Sequence, residues 1–293
     1  MRHFRILFIV LISLTLTASK DEKPAYVIFS GEGRETKFDQ MLSRLGDADI
    51  ILFGEEHDNP IAHWMEIVLV KELSALNMSL VLGAEMFESD DQMIIDEYLS
   101  GRIRTNNFEK ETKLWDNYHT DYKPWVEYAR KMKIPLIATN VPRRYASMVS
   151  YSGFASLDSL SSQAKAYIAP LPVEYDPGLP GYSKMREMMN GHSQMGGPSN
   201  PDFFSQAQAV KDATMAYFIL KNLRPGQCFL HFNGSYHSNN FEGINWYLKK
   251  TSPKLKIATI NVVSQDNIGR LLDENMHTAD FIIVTPSDMT RTY

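Results

Sequence analysis

An α/β fold, with a mainly parallel β-sheet flanked by helices and a smaller helical subdomain inserted in it, is what this sequence predicts. Three observations carry that reading. Short apolar runs recur along the chain and alternate with segments of helical periodicity, as strands do when crossover helices join them. Four of the runs end in Gly, Asn, Glu or His, the chemistry of a polar sheet edge. Between residues 151 and 200 the runs disappear, Ser, Gly and Pro become frequent, and methionines cluster. With 293 residues, 44% of them hydrophobic, the chain is long enough for one large core with an insertion.

Taken in order, residues 25–30 read as a strand and 37–45 as a short helix. The strand at 49–53 comes next; its run Ile50-Ile51-Leu52-Phe53 is long enough to be buried. It breaks at Gly54, Asp58 or Asn59 supplies an N-cap, Pro60 suits the first helical turn, and a helix runs to about residue 76. Residues 79–83 form another apolar strand. A helix near 90–100 places Met93, Ile94, Ile95 and Leu99 on one face, whereas 106–120 is polar and aromatic. Trp125, Tyr128, Ala129 and Met132 at helical spacing predict a helix over 124–132, followed by a strand at 134–138. After the 151–200 segment, Asn200-Pro201-Asp202 opens a long helix to 223. A strand at 227–232, a helix at 241–249 and strands at 256–262 and 281–284 complete the pattern. The α/β domain thus comprises 20–150 and 201–293, with 151–200 a helical, Met-rich insertion.

The formal net charge of -5 leaves no basic footprint for nucleic acid. The one cysteine, Cys228, lies in an apolar run and reads as a buried small hydrophobe; no intrachain disulfide is available. Arg2, His3 and Arg5 precede the apolar stretch 6–16 and the small residues Thr17-Ala18-Ser19, the pattern of a signal peptide over 1–19. Export to the periplasm or the exterior is the expectation, without a lipidated Cys near the cleavage point.

Carboxyl ends of parallel strands are where ligands bind in such sheets. The strand at 49–53 delivers Gly54, Glu55, Glu56 and His57, with His63 one turn into the next helix. The strand at 79–83 delivers Glu85, that at 134–138 Asn140 and Arg143, and that at 227–232 Gly234, Tyr236 and His237. Gly54 to His57 and Gly234 to His237 share one spacing, Gly-x-x-His. Two histidines with carboxylates suit a divalent metal, with Glu56, His57 and His237 as ligands, or a general acid/base set of Glu56, His57, Glu85 and His237. Asn140 and Arg143 would then stabilise developing negative charge.

The stretch Gly-Glu-Glu-His-Asp-Asn-Pro with His63 and Glu66, then Gly83-Ala84-Glu85-Met86-Phe87, 137–143, Gln206 to Gln208 with Asp212, and Gly234-Ser235-Tyr236-His237 resembles the ChaN-like haem-binding uptake proteins. These group with Tiki/TraB and erythromycin-esterase-like proteins. The resemblance spans roughly residues 40–285. It implies a large parallel sheet with a smaller helical part, and haem carried in iron acquisition, held on the helices and often at a homodimer interface, with haem-uptake machinery at the membrane as a partner. The segment 181–192 offers residue types that ligate haem iron, Tyr182 first and His192 second, with Met185 and Met189 as an apolar wall and Lys184 and Arg186 for the propionates. The alternative is a Tiki-like metal-dependent peptidase or esterase-like hydrolase working at the Glu/His cleft.

Overall fold

Residues 23–76, 78–190 and 200–293 are described by the computed structural model and build around one eight-stranded sheet. Its strands are β1 (Val27–Ser30), β2 (Glu35–Thr36), β3 (Ile50–Glu55), β4 (Ser79–Glu88), β5 (Leu136–Asn140), β6 (Gln227–Gly234), β7 (Ile257–Gln265) and β8 (Phe281–Pro286). Across the sheet the order is β2-β1-β8-β7-β3-β6-β4-β5. Neighbours from β8 to β5 run parallel, while β1 lies antiparallel on β8 and β2 on β1.

Parallel strands covered on both faces need apolar side chains on both, which is why the β3 run is continuous rather than alternating. Ile51 and Phe53 enter one core and Ile50 and Leu52 the other, all fully buried. The first core is covered by α1 (Phe38–Leu45), α2 (Pro60–Ala75), α3 (Gln92–Leu99), α4 (Thr105–Glu111) and, beyond a π-helical turn at Tyr118–Tyr122, α5 (Lys123–Met132). A third cluster joins α6 (Arg143–Ser152) to Leu157 and Ile168, ahead of and behind the one-turn α7 (Ser162–Lys165). Next, α8 (Pro180–Asn190) packs along α9 (Pro201–Asn222), and α9 with α10 (Ile244–Thr251) covers the second core.

The connections position the site. From β3 the chain passes through α2 to β4, leaving a gap that β6 later fills; from β6 it passes through α10 to β7 on the far side of β3. Chains diverging from adjacent strands open a crevice at their carboxyl ends. Here it lies over Glu55 and Gly234, which are paired in register.

Several expectations shift. The strand that starts at Ser79 continues to Glu88, past a register break against β5 between Ala84 and Glu88, so Glu85 sits within the strand. Helix α10 begins at Ile244 rather than 241 because Asn240, Phe241 and Gly243 all adopt positive φ. Helix α4 has one buried apolar residue, Phe108, and so no periodicity to read. Among the described residues no helix is long and apolar enough to cross a membrane. The 1–19 segment and His192 lie outside the described residues.

Candidate functional site

Glu55 ends β3 on the same face as Ile51 and Phe53, and it is buried. Its Oε1 accepts hydrogen bonds from His57 Nδ1 and from Tyr122 Oη, each at 2.7 Å. Burial opposes the Glu55 charge, yet the contact with Glu66, the hydrogen bond from His57 and the nearby His63 outweigh it and hold the carboxyl well below the usual range. Burial likewise disfavours the His57 charge, but the Glu55 hydrogen bond and the Glu85 and Glu55 charges raise its pKa. Trp115 meets the His57 ring edge-on at 4.9 Å, and Asn117 donates to the His57 carbonyl.

Glu85 projects from the other face of the sheet, since its neighbours Ala84 and Met86 enter the first core. Oε2 accepts the Gly234 N–H at 2.8 Å and Oε1 accepts His237 Nε2 at 3.0 Å. Asp212 of α9 binds His237 Nδ1 and receives the Tyr182 hydroxyl at 2.7 Å; the Gln208 amide lies 2.9 Å from Nδ1. Although burial penalises it, the His237 imidazolium is raised to about 9 by Glu85 and Asp212. Reciprocally, Glu85 is held well below the usual carboxylate range: burial works against it, and the His237 charge prevails. The pair thus favours the His237 imidazolium, while burial pushes the Asp212 carboxyl above its ordinary pKa against the pull of His237.

The two glycines explain the repeated spacing. A Cβ on Gly234 would stand 2.6 Å from His57 Nε2 and 3.5 Å from Glu85 Oε2; one on Gly54 would stand 3.0 Å from Ser235 Cα. Each glycine makes room for the turn that carries the other histidine. His57 and Glu85 therefore flank Gly234 and open into one cleft of about 820 Å³. Lys184 and Met185 of α8 and Gln208 and Lys211 of α9 form a second wall, with Tyr236 and Asn240 also lining the cleft. No ion pair engages Lys184 or Lys211 among the described residues. The arrangement supplies a poised imidazole, ionised carboxylates and a cationic helical wall, which suits acid/base work on an anionic ligand.

Not every expected residue joins this set. Glu56 borders the cleft, but its carboxylate is held elsewhere: Ser264 and Asn59 donate to Oε2, and Arg291 pairs with it at 3.0 Å. That ion pair and cap remove it as a partner for His57 and His237, and among the described residues no group of three or more His, Cys, Asp or Glu is arranged to hold a metal ion. His63 is buried behind Glu55, its Nε2 3.4 Å from Oε2. Asn140 donates to the Glu85 carbonyl at 2.9 Å. Arg143 is not in the cleft; it starts α6 and lines a separate groove with Trp115 and Tyr293. Tyr182 is buried with its hydroxyl on Asp212, and burial pushes that hydroxyl far above its ordinary pKa, so iron could reach it only if that bond broke. Arg186 is spent on the Pro177 carbonyl and Asp202, while Met189 is half-buried and Tyr236 is 65% exposed.

Sequence reasoning missed Tyr122, Glu66 as a partner of Glu55, Lys211 and Arg291. Glu66 left a signal: it falls on the buried stripe of α2 with Ala62, Met65, Leu69 and Leu73. Arg291 left none, because nothing local ties it to residues 56–58.

The profile of the family described as haem-binding uptake, Tiki superfamily, ChaN, matches residues 41–248. Among solved structures, one described as cofacial haem binding to ChaN of Campylobacter jejuni superposes with a TM-score of 0.67 at 20% identity, over 89% of this chain and 97% of that one. RRSP, a MARTX toxin effector domain from Vibrio vulnificus, gives 0.45 at 17% identity over 86% of this chain and 38% of that one, too loose a likeness to carry an argument. The first likeness shows the fold. No curated protein matches this chain in sequence.

Proposed function

This chain belongs to the ChaN family of haem-binding uptake proteins in the Tiki superfamily, and on that premise we propose that it binds haem and relays it during iron acquisition. The observation that carries the reading is the extent of the family match, which takes in both α8 and α9. The residues present fit the group. Met185, half-buried Met189 and exposed Met188 and Phe204 offer a polarisable apolar wall for a macrocycle, and Lys184 and Lys211 offer charges for propionates. Haem, when bound, would supply an iron that accepts His, Tyr, Met or Cys as a ligand. Of those types, Tyr236, which is exposed, and His192, which lies outside the described residues, are the ligands we propose, with Tyr182 retained by Asp212. Export through the 1–19 pattern, a homodimer and hand-over to membrane uptake machinery belong to the same proposal.

A haemin titration followed by absorbance tests it. A saturable Soret shift is expected, weakened at least about tenfold by Tyr236→Phe or His192→Ala and unchanged by Tyr182→Phe, tenfold being about 1.4 kcal/mol. A folded protein with no saturable shift overturns it. Cell fractionation tests export, and retention in the cytoplasm overturns that part.

A second reading is favoured by one observation: Glu55 fixes His57 Nδ1, which leaves Nε2 directed at the cleft beside Glu85. We infer a hydrolase in which His57 is the base and the Glu85–His237 pair the partner acid/base group. Turnover of an ester or peptide substrate that His57→Ala abolishes, with haemin binding intact, would establish it.

A further inference from the structure

Behind Glu55 lies a set of buried polar groups that neither reading uses: Glu66, His63, Asp121, Tyr122, Asn117 and Trp125. Three carboxyl groups, of Glu55, Glu66 and Asp121, share this space; among the described residues Glu55 and Asp121 pair only with His57 and His63, and Glu66 with neither. His63 meets two of them loosely. Its Nε2 is 3.4 Å from Glu55 Oε2 and its Nδ1 3.2 Å from Asp121 Oδ2, and neither nitrogen makes a well-aimed hydrogen bond.

The oxygens separate the roles of the two glutamates. Glu55 Oε1 already has two donors, His57 and Tyr122, which mark Glu55 as the anion. Glu66 has one, Trp125 Nε1 on Oε2 at 3.0 Å. Glu55 Oε2 and Glu66 Oε1 are both buried without a donor from any other residue. Glu66 lies within hydrogen-bonding reach of Glu55, and two buried carboxyls so placed do not both ionise, so one keeps its proton and gives it to the other.

We propose that Glu66 is a positioning residue: its protonated carboxyl donates to Glu55 Oε2 and thereby aims Glu55 Oε1 at His57 Nδ1. Burial first, and then the Glu55 charge, push the Glu66 carboxyl well above its ordinary pKa, in keeping with this geometry. The proposal goes beyond both functional readings and needs only the Glu55–His57 contact.

Infrared and proton NMR spectra of the whole protein test it without any ligand. At neutral pH the wild type is expected to show the carbonyl stretch of a buried protonated carboxylic acid, lost in Glu66→Gln. The downfield Nδ1 proton of His57 is expected to persist in Glu66→Gln, which still donates to Glu55, and to vanish in Glu66→Leu, which does not. An acid band that is absent from the wild type, or that survives Glu66→Gln, overturns the proposal. So does a Glu66→Leu protein with an unaltered His57 proton. If Glu66→Leu fails to fold, the infrared band and its Glu66→Gln control decide alone. Failure here would leave haem binding and turnover untouched, since neither is measured.

Discussion

Gly234 lies against both His57 Nε2 and Glu85 Oε2, and its missing side chain keeps the two on one cleft. Adding a methyl there puts carbon 2.6 Å from His57 Nε2. Gly234→Ala is expected to displace His57 and cost about 1–3 kcal/mol, read from chemical denaturation. Gly54→Ala meets the backbone of Ser235 at 3.0 Å and is expected to cost a similar amount. His237 gives a pH signature. Its folded pKa is raised to about 9, so its contribution is fully present below the unfolded value of about 6.5 and is lost as pH rises through about 9. The loss is on the order of 3 kcal/mol, and His237→Gln is expected to flatten the fall in denaturation midpoint across that window. The sequence displayed Glu55 and Glu56 side by side, and only strand periodicity tells them apart. Position 55 continues the Ile51–Phe53 face into the core, whereas 56 falls past the strand end, where Arg291 takes it. Tyr182 misled for a related reason: helix spacing shows that it shares a face, not that Asp212 waits beneath it.

Among the elements, the turn after β3 rests on Asn59. Its Oδ1 accepts the N–H groups of Ile61 and Ala62, and its Nδ2 donates to Glu56 and Thr285 while fully buried. Asn59→Ala is expected to destabilise by about 2 kcal/mol, above the roughly 1 kcal/mol of a simple cap, because Thr285 loses a buried partner too. A cap just before Pro60 was legible, though not whether Asp58 or Asn59 supplies it, and so was nearly every central strand, since long apolar runs and caps are local signals. What was not legible came from distant chain. The antiparallel pairing of β1 and the two-residue β2 depend on β8 arriving beside them. The ion pairs of Arg291 with Glu56 and Asp58 likewise fasten the C-terminal segment over the His57 turn. These pairs are about a third exposed, so Arg291→Ala is expected to cost only about 0.5–1 kcal/mol, with faster proteolysis of the last residues as its clearer readout.

For the molecule as a whole, stability should be graded from the centre outward. Strands β3 and β6 are paired on both edges and buried on both faces, whereas β2 is short and at the margin. Native-state hydrogen exchange is expected to protect the amides of β3 and β6 to near the global unfolding limit and those of β2 least; equal protection would refute it. The late arrival of β6 also has a consequence for synthesis. A ribosome-bound chain has already made β3 and β4 long before residues 227–234 emerge, and the seat between those two strands stays empty until then. Nascent chains halted upstream of 227 would carry two sticky apolar edges and no assembled site, an invitation to chaperones that full-length chains would not extend.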